Sequence, residues 1–173
     1  MYFSYLIAAS RAHFKQYPDA LSYNYSVKFF HEGGEWMKDR MSELNSITHK
    51  SSSTVQYIYY GWFKYGISAI LFAVMGMWFY SIHPGLLPIS IIGFYVVEVH
   101  FLFLFPLLIN GDQQPVINSI KKTYQVGLLK AIFTIIPIAV YMLVGLLKKQ
   151  PLLNWHTGCM SILIWYNNET GNW

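Results

Sequence analysis

The chain has 173 residues, a length that suits one domain or two small ones. Hydrophobic residues make up 54% and charged residues 12%, and the charged share is about half of the roughly 25% usual in soluble domains. A soluble domain of this size has too little charged surface to cover so much apolar area. The single cysteine excludes a disulfide scaffold, and the hydrophobicity excludes a disordered chain. The composition therefore indicates an integral membrane protein.

The net charge of +4 does not indicate a nucleic-acid-binding protein, because the basic residues are scattered and form no dense run or known reader motif. In a membrane protein such residues report topology. The apolar start of the chain, Met1 to Ala9, has no basic residues before it and does not fit a cleaved signal peptide. We expect the lipid bilayer as a partner and no nucleic acid.

Residues 1–55 are predicted to form an amphipathic helical N-terminal region on the cytoplasmic face of the membrane. Its clearest helix covers residues 27–47, in which acidic residues occupy one side and apolar residues the other. Because a face with four acids matches anionic lipid poorly, packing on the protein's own loops or on a partner is the alternative. Gly33 and Gly34 weaken this helix and could break it. The apolar side consists of Phe30, Met37, Met41 and Leu44.

Three potential metal ligands line one edge of this helix, since His31, Glu35 and Asp39 are successive i, i+4 neighbours. The zinc-protease motif requires a second histidine where Glu35 stands, and the two glycines between are unlike it. A solvated charged face explains the same residues. They are therefore weak candidates for a metal site.

Three apolar segments are long enough to cross a bilayer and predict a transmembrane domain over residues 56–148. The first, of 18 residues, covers about 27 Å at a rise of ~1.5 Å per residue, close to the ~30 Å of a hydrocarbon core. A turn with the sequence Pro-Gly-Leu-Leu-Pro makes the first two segments a tight hairpin, and a longer polar loop separates the second from the third. The segments are Tyr65–Ile82, Leu86–Ile109 and Ala131–Leu147.

The distribution of Lys and Arg predicts the orientation. Seven precede the first segment and three flank the loop between the second and third, against two after the third. Ten against two places the N-terminus in the cytoplasm by the positive-inside rule, in the cell (inner) membrane if the source is bacterial. The two opposing residues are Lys148 and Lys149. Residues 149–173 are predicted as an interfacial or re-entrant tail, because the apolar stretch Leu152 to Tyr166 is only 15 residues long.

Small residues form one narrow stripe along the first segment, at Gly66, Ala69, Ala73 and Gly76. Such stripes let two helix backbones approach closely in lipid, so we expect a helix-packing surface there. The alternative is that Gly and Ala are simply common in membrane helices.

Proline residues are expected to bend two of the spans. Pro106 and Pro137 have no N–H, so each leaves the carbonyl four residues earlier without its helical donor. Those carbonyls belong to Leu102 and Phe133.

The most informative side chains are Glu98 and His100, which lie near the middle of the second apolar segment. An ionised carboxylate there costs on the order of 3 kcal/mol, so it needs a partner. The two residues are about 200° apart around a helix, so each needs its own partner. They are candidates for a proton path, a metal or haem ligand, or the polar end of a quinone or lipid pocket; the alternative is interhelical hydrogen bonding.

The sequence thus predicts an all-α integral membrane protein with three transmembrane helices and an amphipathic N-terminal region. It contains no nucleophile elbow and no phosphate-binding loop, so no complete catalytic set can be assembled. The expected function is that of a non-catalytic subunit or scaffold, packing against another membrane protein or a second copy of itself. The alternative is a membrane-embedded enzyme or proton- or redox-handling subunit that uses Glu98 and His100 on a lipid, quinone or isoprenoid. No particular cofactor is indicated.

Overall fold

The structure is a computed structural model that describes residues 2–18, 29–45, 57–148 and 151–170. All regular structure in these residues is helical, without a strand, which confirms the expected all-α class. The helices are α1 (Tyr2–Gln16), α2 (Phe29–Asn45), α3 (Tyr57–Ile82), α4 (Ile91–His100), α5 (Leu104–Ile109), α6 (Pro115–Val126), α7 (Leu128–Leu146) and α8 (Pro151–Thr170), with a 3₁₀ helix (Pro84–Ser90) between α3 and α4.

Three helical segments of the described chain are long and apolar enough to cross a membrane. They are Tyr57–Ile82, Pro84–Ile109 and Leu128–Gly145, and each overlaps one of the segments predicted from the sequence. The expectation of three helices suited to span a membrane is confirmed. Helix α3 begins eight residues before the predicted first segment and therefore includes Lys64.

The chain between α3 and α4 turns tightly, and the two helices pack against each other as an antiparallel pair. At the turn, His83 Nδ1 accepts a hydrogen bond of 3.0 Å from the backbone N–H of Gly85, and Pro84 starts the 3₁₀ helix. Further along, a Cβ on Gly93 would lie only 2.9 Å from the carbonyl oxygen of Leu71. The absence of a side chain at Gly93 therefore allows the close approach of α4 to α3.

The second apolar segment is broken, because α4 ends at His100 and α5 starts at Leu104, with a turn over 101–103. The sequence predicts a bend here, since Pro106 cannot donate to the carbonyl of Leu102, and the structure has a full break instead. Helix α7, in contrast, continues through Pro137. The break separates the segment into a longer and a shorter helix.

Helix α6 covers this break. The sequence predicts a polar loop for these residues. The hydroxyl of Ser119 donates to the carbonyl of His100, and that of Thr123 donates to the carbonyl of Val99, both at 3.2 Å. Both side chains are fully buried. In an apolar environment, backbone groups freed by a helix break need such donors, so α6 stabilises the broken segment.

More than half of the residues of α8 are buried, and the helix runs antiparallel to α1 and α7. The hydroxyls of Ser10 and Ser161 form a hydrogen bond of 2.9 Å, and Lys130 Nζ lies 2.5 Å from Glu169 Oε1. Gly158 lies directly against the side chain of Met142. The sequence predicts an interfacial or re-entrant tail here; the 20-residue helix packs along other helices of the chain, and its position relative to a membrane stays a prediction.

Helix α2 continues through Gly33 and Gly34 without a break. The ring of Tyr57 occupies the space that a side chain on Gly34 would need, and the ring of Phe30 does the same at Gly61 of α3. An aromatic side chain from each helix thus packs directly against a glycine of the other helix. Met41 is fully buried, so the apolar side of α2 packs against α3, α5 and α8 of the same chain. The location of this region in the cytoplasm stays a prediction.

Candidate functional site

Glu98 has a partner that sequence reasoning missed. The antiparallel register of α3 and α4 places Lys64 Nζ 2.9 Å from Glu98 Oε2, and the two side chains are only 7% and 18% exposed. In such surroundings the mutual attraction of the two charges compensates a large part of the cost of removing both from water. Lys64 lies one residue outside the predicted first segment, so only the register of the two helices could reveal the pair.

Aromatic side chains of α2 and α3 lie beside this ion pair. The ammonium of Lys64 lies 5.4 Å from the centre of the Tyr65 ring, a cation–π distance. The ring of Phe30 stacks on Tyr65 at 5.4 Å, with 15° between the planes. The pair therefore joins α3 to α4 next to an aromatic side chain of α2.

The second carboxylate oxygen of Glu98 is in a different situation from the one that pairs with Lys64. Glu98 Oε1 is buried and has no hydrogen-bond partner in the described part of the chain. Buried polar atoms without a partner are uncommon in folded proteins. The Glu98 carboxylate thus keeps one oxygen with unused acceptor capacity.

His100 forms hydrogen bonds with a different set of partners. Its Nδ1 lies 2.6 Å from the carbonyl oxygen of Val96, and its Nε2 lies 3.2 Å from the hydroxyl of Tyr124 in α6. Because a carbonyl can only accept, Nδ1 carries a proton, and the Nε2 of a neutral ring then accepts from Tyr124. Glu98 and His100 are bound to different helices and do not contact a common point.

The three weak metal candidates of α2 have other neighbours. The ring of His31 lies 6.3 Å from that of Tyr57, Glu35 accepts a hydrogen bond from Lys38 at 3.2 Å, and Asp39 is exposed. In the described ranges, no three His, Cys, Asp or Glu side chains converge as a metal site would need.

The small-residue stripe of α3 lies mostly outside the contacts among the described residues. A Cβ on Gly66 would meet none of them within 4 Å, and Ala69 and Ala73 are exposed. Gly76 is buried and faces Leu87 of the 3₁₀ helix. The described residues thus leave most of the stripe uncovered.

A second polar cluster joins α1 and α2, and sequence reasoning did not connect its members. His13 Nε2 lies 2.8 Å from Glu43 Oε2, and Arg40 lies 3.0 Å from the other oxygen of Glu43. Burial lowers the pKa of His13 below its ordinary value, although the hydrogen bond to Glu43 acts in the opposite direction. The neutral ring therefore links the two N-terminal helices.

No protein-family model, curated protein or solved structure matches the chain. The three long apolar helices are compatible with a membrane protein.

Proposed function

We propose that the chain is a multi-pass membrane protein that acts as a non-catalytic subunit or scaffold of a membrane complex. The observation that carries the proposal is that both ionisable side chains of the second segment already have partners within the chain. Glu98 pairs with Lys64, and His100 bonds to Val96 and Tyr124. Contacts of this kind join helices to one another and require no substrate.

The partner surface in this proposal is the outer side of α3. Ala69 and Ala73 expose their methyl groups there, and a Cβ on Gly66 would meet no described residue within 4 Å. A smooth surface of this kind fits an apolar helix of another membrane protein or of a second copy of this chain. The basic residues before α3 favour an orientation with the N-terminus in the cytoplasm, in the cell (inner) membrane if the source is bacterial.

The test compares two bulky substitutions at neighbouring exposed positions. Ala73→Phe lies on the stripe, whereas Val74→Phe lies about 100° away around the helix and serves as the matched control. Overpacking a close helix contact costs about 1–3 kcal/mol, so Ala73→Phe should weaken assembly roughly 5- to 150-fold and Val74→Phe should leave it unchanged.

Assembly is measured by size-exclusion chromatography in mild detergent and by co-purification of two differently tagged copies. If the complex persists in both variants, the stripe is not the interface. If the wild-type chain is monomeric at every concentration and no larger complex forms in its own membrane, the scaffold proposal fails.

The alternative function is favoured by one observation, that the buried Glu98 Oε1 has no hydrogen-bond partner among the residues the structure describes. A free acceptor oxygen beside a buried ammonium is suited to proton transfer or to a polar group of a lipid, quinone or isoprenoid. A Glu98→Gln chain that folds and assembles but loses turnover of such a substrate would favour this alternative.

A further inference from the structure

The surroundings of α3 and α4 change at the level of the Lys64–Glu98 pair. From there to the turn at His83, α3 packs mainly on the 3₁₀ helix and α4. Residues 65–97 contain no Lys, Arg, Asp or Glu. Large apolar side chains on both legs of this hairpin are exposed, among them Ile70 (63%), Met77 (67%) and Ile92 (50%). This part of the surface suits hydrocarbon.

On the other side of the pair, the second apolar segment no longer has an exposed apolar face. Residues 101–104 and 106–109 are all buried, and α5 packs against α2 and α6. The ring of Phe103 also contacts Trp165 of α8, with the centroids 5.5 Å apart. Hydropathy alone predicts that this part of the second apolar segment contacts lipid. In the structure, other helices of the chain cover it.

The two legs of the hairpin have matching lengths. Residues 65–82 of α3 extend over about 27 Å at ~1.5 Å per residue. The seven residues of the 3₁₀ helix add about 14 Å at ~2.0 Å per residue, and residues 91–98 add about 12 Å, about 26 Å together. Both lengths approach the ~30 Å thickness of a hydrocarbon core.

Exposed aromatic side chains lie near both ends of this apolar length. Tyr59 and Trp62 are 69% and 65% exposed just before the ion pair, and Trp78 and Tyr80 are 60% and 61% exposed near the turn. Tyr and Trp concentrate at the two membrane–water interfaces, where one end of the ring is wet.

We propose that the Lys64–Glu98 pair marks one boundary of the hydrocarbon and that the hairpin from Tyr65 to Val97 crosses the bilayer up to the turn at His83. This inference rests on the proposed membrane function. The proposed boundary places Glu98 at the edge of the hydrocarbon. Its position near the centre of the second apolar segment would instead have placed it at the bilayer midplane. The occupant of the exposed hairpin surface is lipid acyl chain, except where a partner helix covers the stripe.

The depth of single labelled positions tests this boundary. In a Cys159→Ala background, the full chain carries one cysteine at Phe63, Val74, Ile82 or Ile92, labelled with a nitrobenzoxadiazole fluorophore. The labelled chain is reconstituted into phosphatidylcholine vesicles that contain lipids with a nitroxide at acyl carbon 5 or at carbon 12. The ratio of quenching by the two lipids reports the depth, and the exposed position Asp39 on α2 is the control outside the hydrocarbon.

We expect the labels at Val74 and Ile92 to be quenched more by the carbon-12 nitroxide. The labels at Phe63 and Ile82 should be quenched more by the carbon-5 nitroxide, and the label at Asp39 by neither. If the label at Phe63 is deeper than the label at Val74, the pair lies near the midplane and the boundary is wrong although the chain is inserted. If no label on the hairpin is quenched, the proposed membrane function fails as well.

Discussion

The ion pair between α3 and α4 should be a principal determinant of stability. At a separation of 2.9 Å, the attraction between unit charges is about 6 kcal/mol at an effective dielectric constant of about 20. Desolvation of both groups cancels much of this attraction, so the pair adds little over apolar residues. Removing one partner is different, because the other charge then stays buried and uncompensated, at a cost of about 3–5 kcal/mol.

Glu98→Leu and Lys64→Met should each lower the free energy of unfolding by about 3 kcal/mol, the lower end of that range because Glu98 is partly exposed. The double variant Lys64→Met/Glu98→Leu should recover most of the loss, since it leaves no unpaired charge. The measurement is equilibrium denaturation in mixed micelles, followed by tryptophan fluorescence. From the four chains, a double-mutant cycle gives a coupling energy of about 2 kcal/mol or more.

Additive losses in this cycle, or single losses below about 1 kcal/mol, would refute the reasoning, because they would mean that the two charges are apart or solvated. The cycle also bears on function. If the double variant folds and still assembles with its complex, the pair serves structure. If the double variant folds but the cell loses an activity that the wild-type chain supports, the carboxylate has a chemical role.

Two further predictions concern packing and pH. Gly93→Ala should destabilise the hairpin by about 1–3 kcal/mol, because its Cβ would meet the backbone of Leu71, whereas Gly66→Ala, with no neighbour, should cost nothing in the same denaturation assay. Equal effects of the two substitutions would contradict the observed α3–α4 contact. Since burial lowers the pKa of His13 in the folded state, the unfolded state binds protons more readily. The free energy of unfolding should therefore fall as the pH drops below about 6.5, and less so in His13→Gln; a rise on acidification would mean that the attraction of Glu43 dominates.

Local sequence properties were sufficient for the helical class and the three apolar segments. An uncharged stretch such as Tyr65–Ile82 needs no tertiary information to be identified, because its length and hydropathy alone suit a bilayer. The turn at Pro84 is equally local, since proline acts on its own backbone and on the preceding turn. These features are predicted by the sequence and are present in the structure. The effect of proline inside a span is less local, because the segment breaks before Pro106 whereas α7 continues through Pro137.

The partners of the important side chains depended on contacts between distant parts of the chain. The Lys64–Glu98 pair exists because the close contact at Gly93 sets the register of α3 against α4. Tyr124 reaches His100 only because α6 folds back over the break in the second segment. Hydropathy reports how apolar a segment is, but it does not tell whether lipid or protein will surround it. That choice is made when helices pack, and it decides which buried charges are paired.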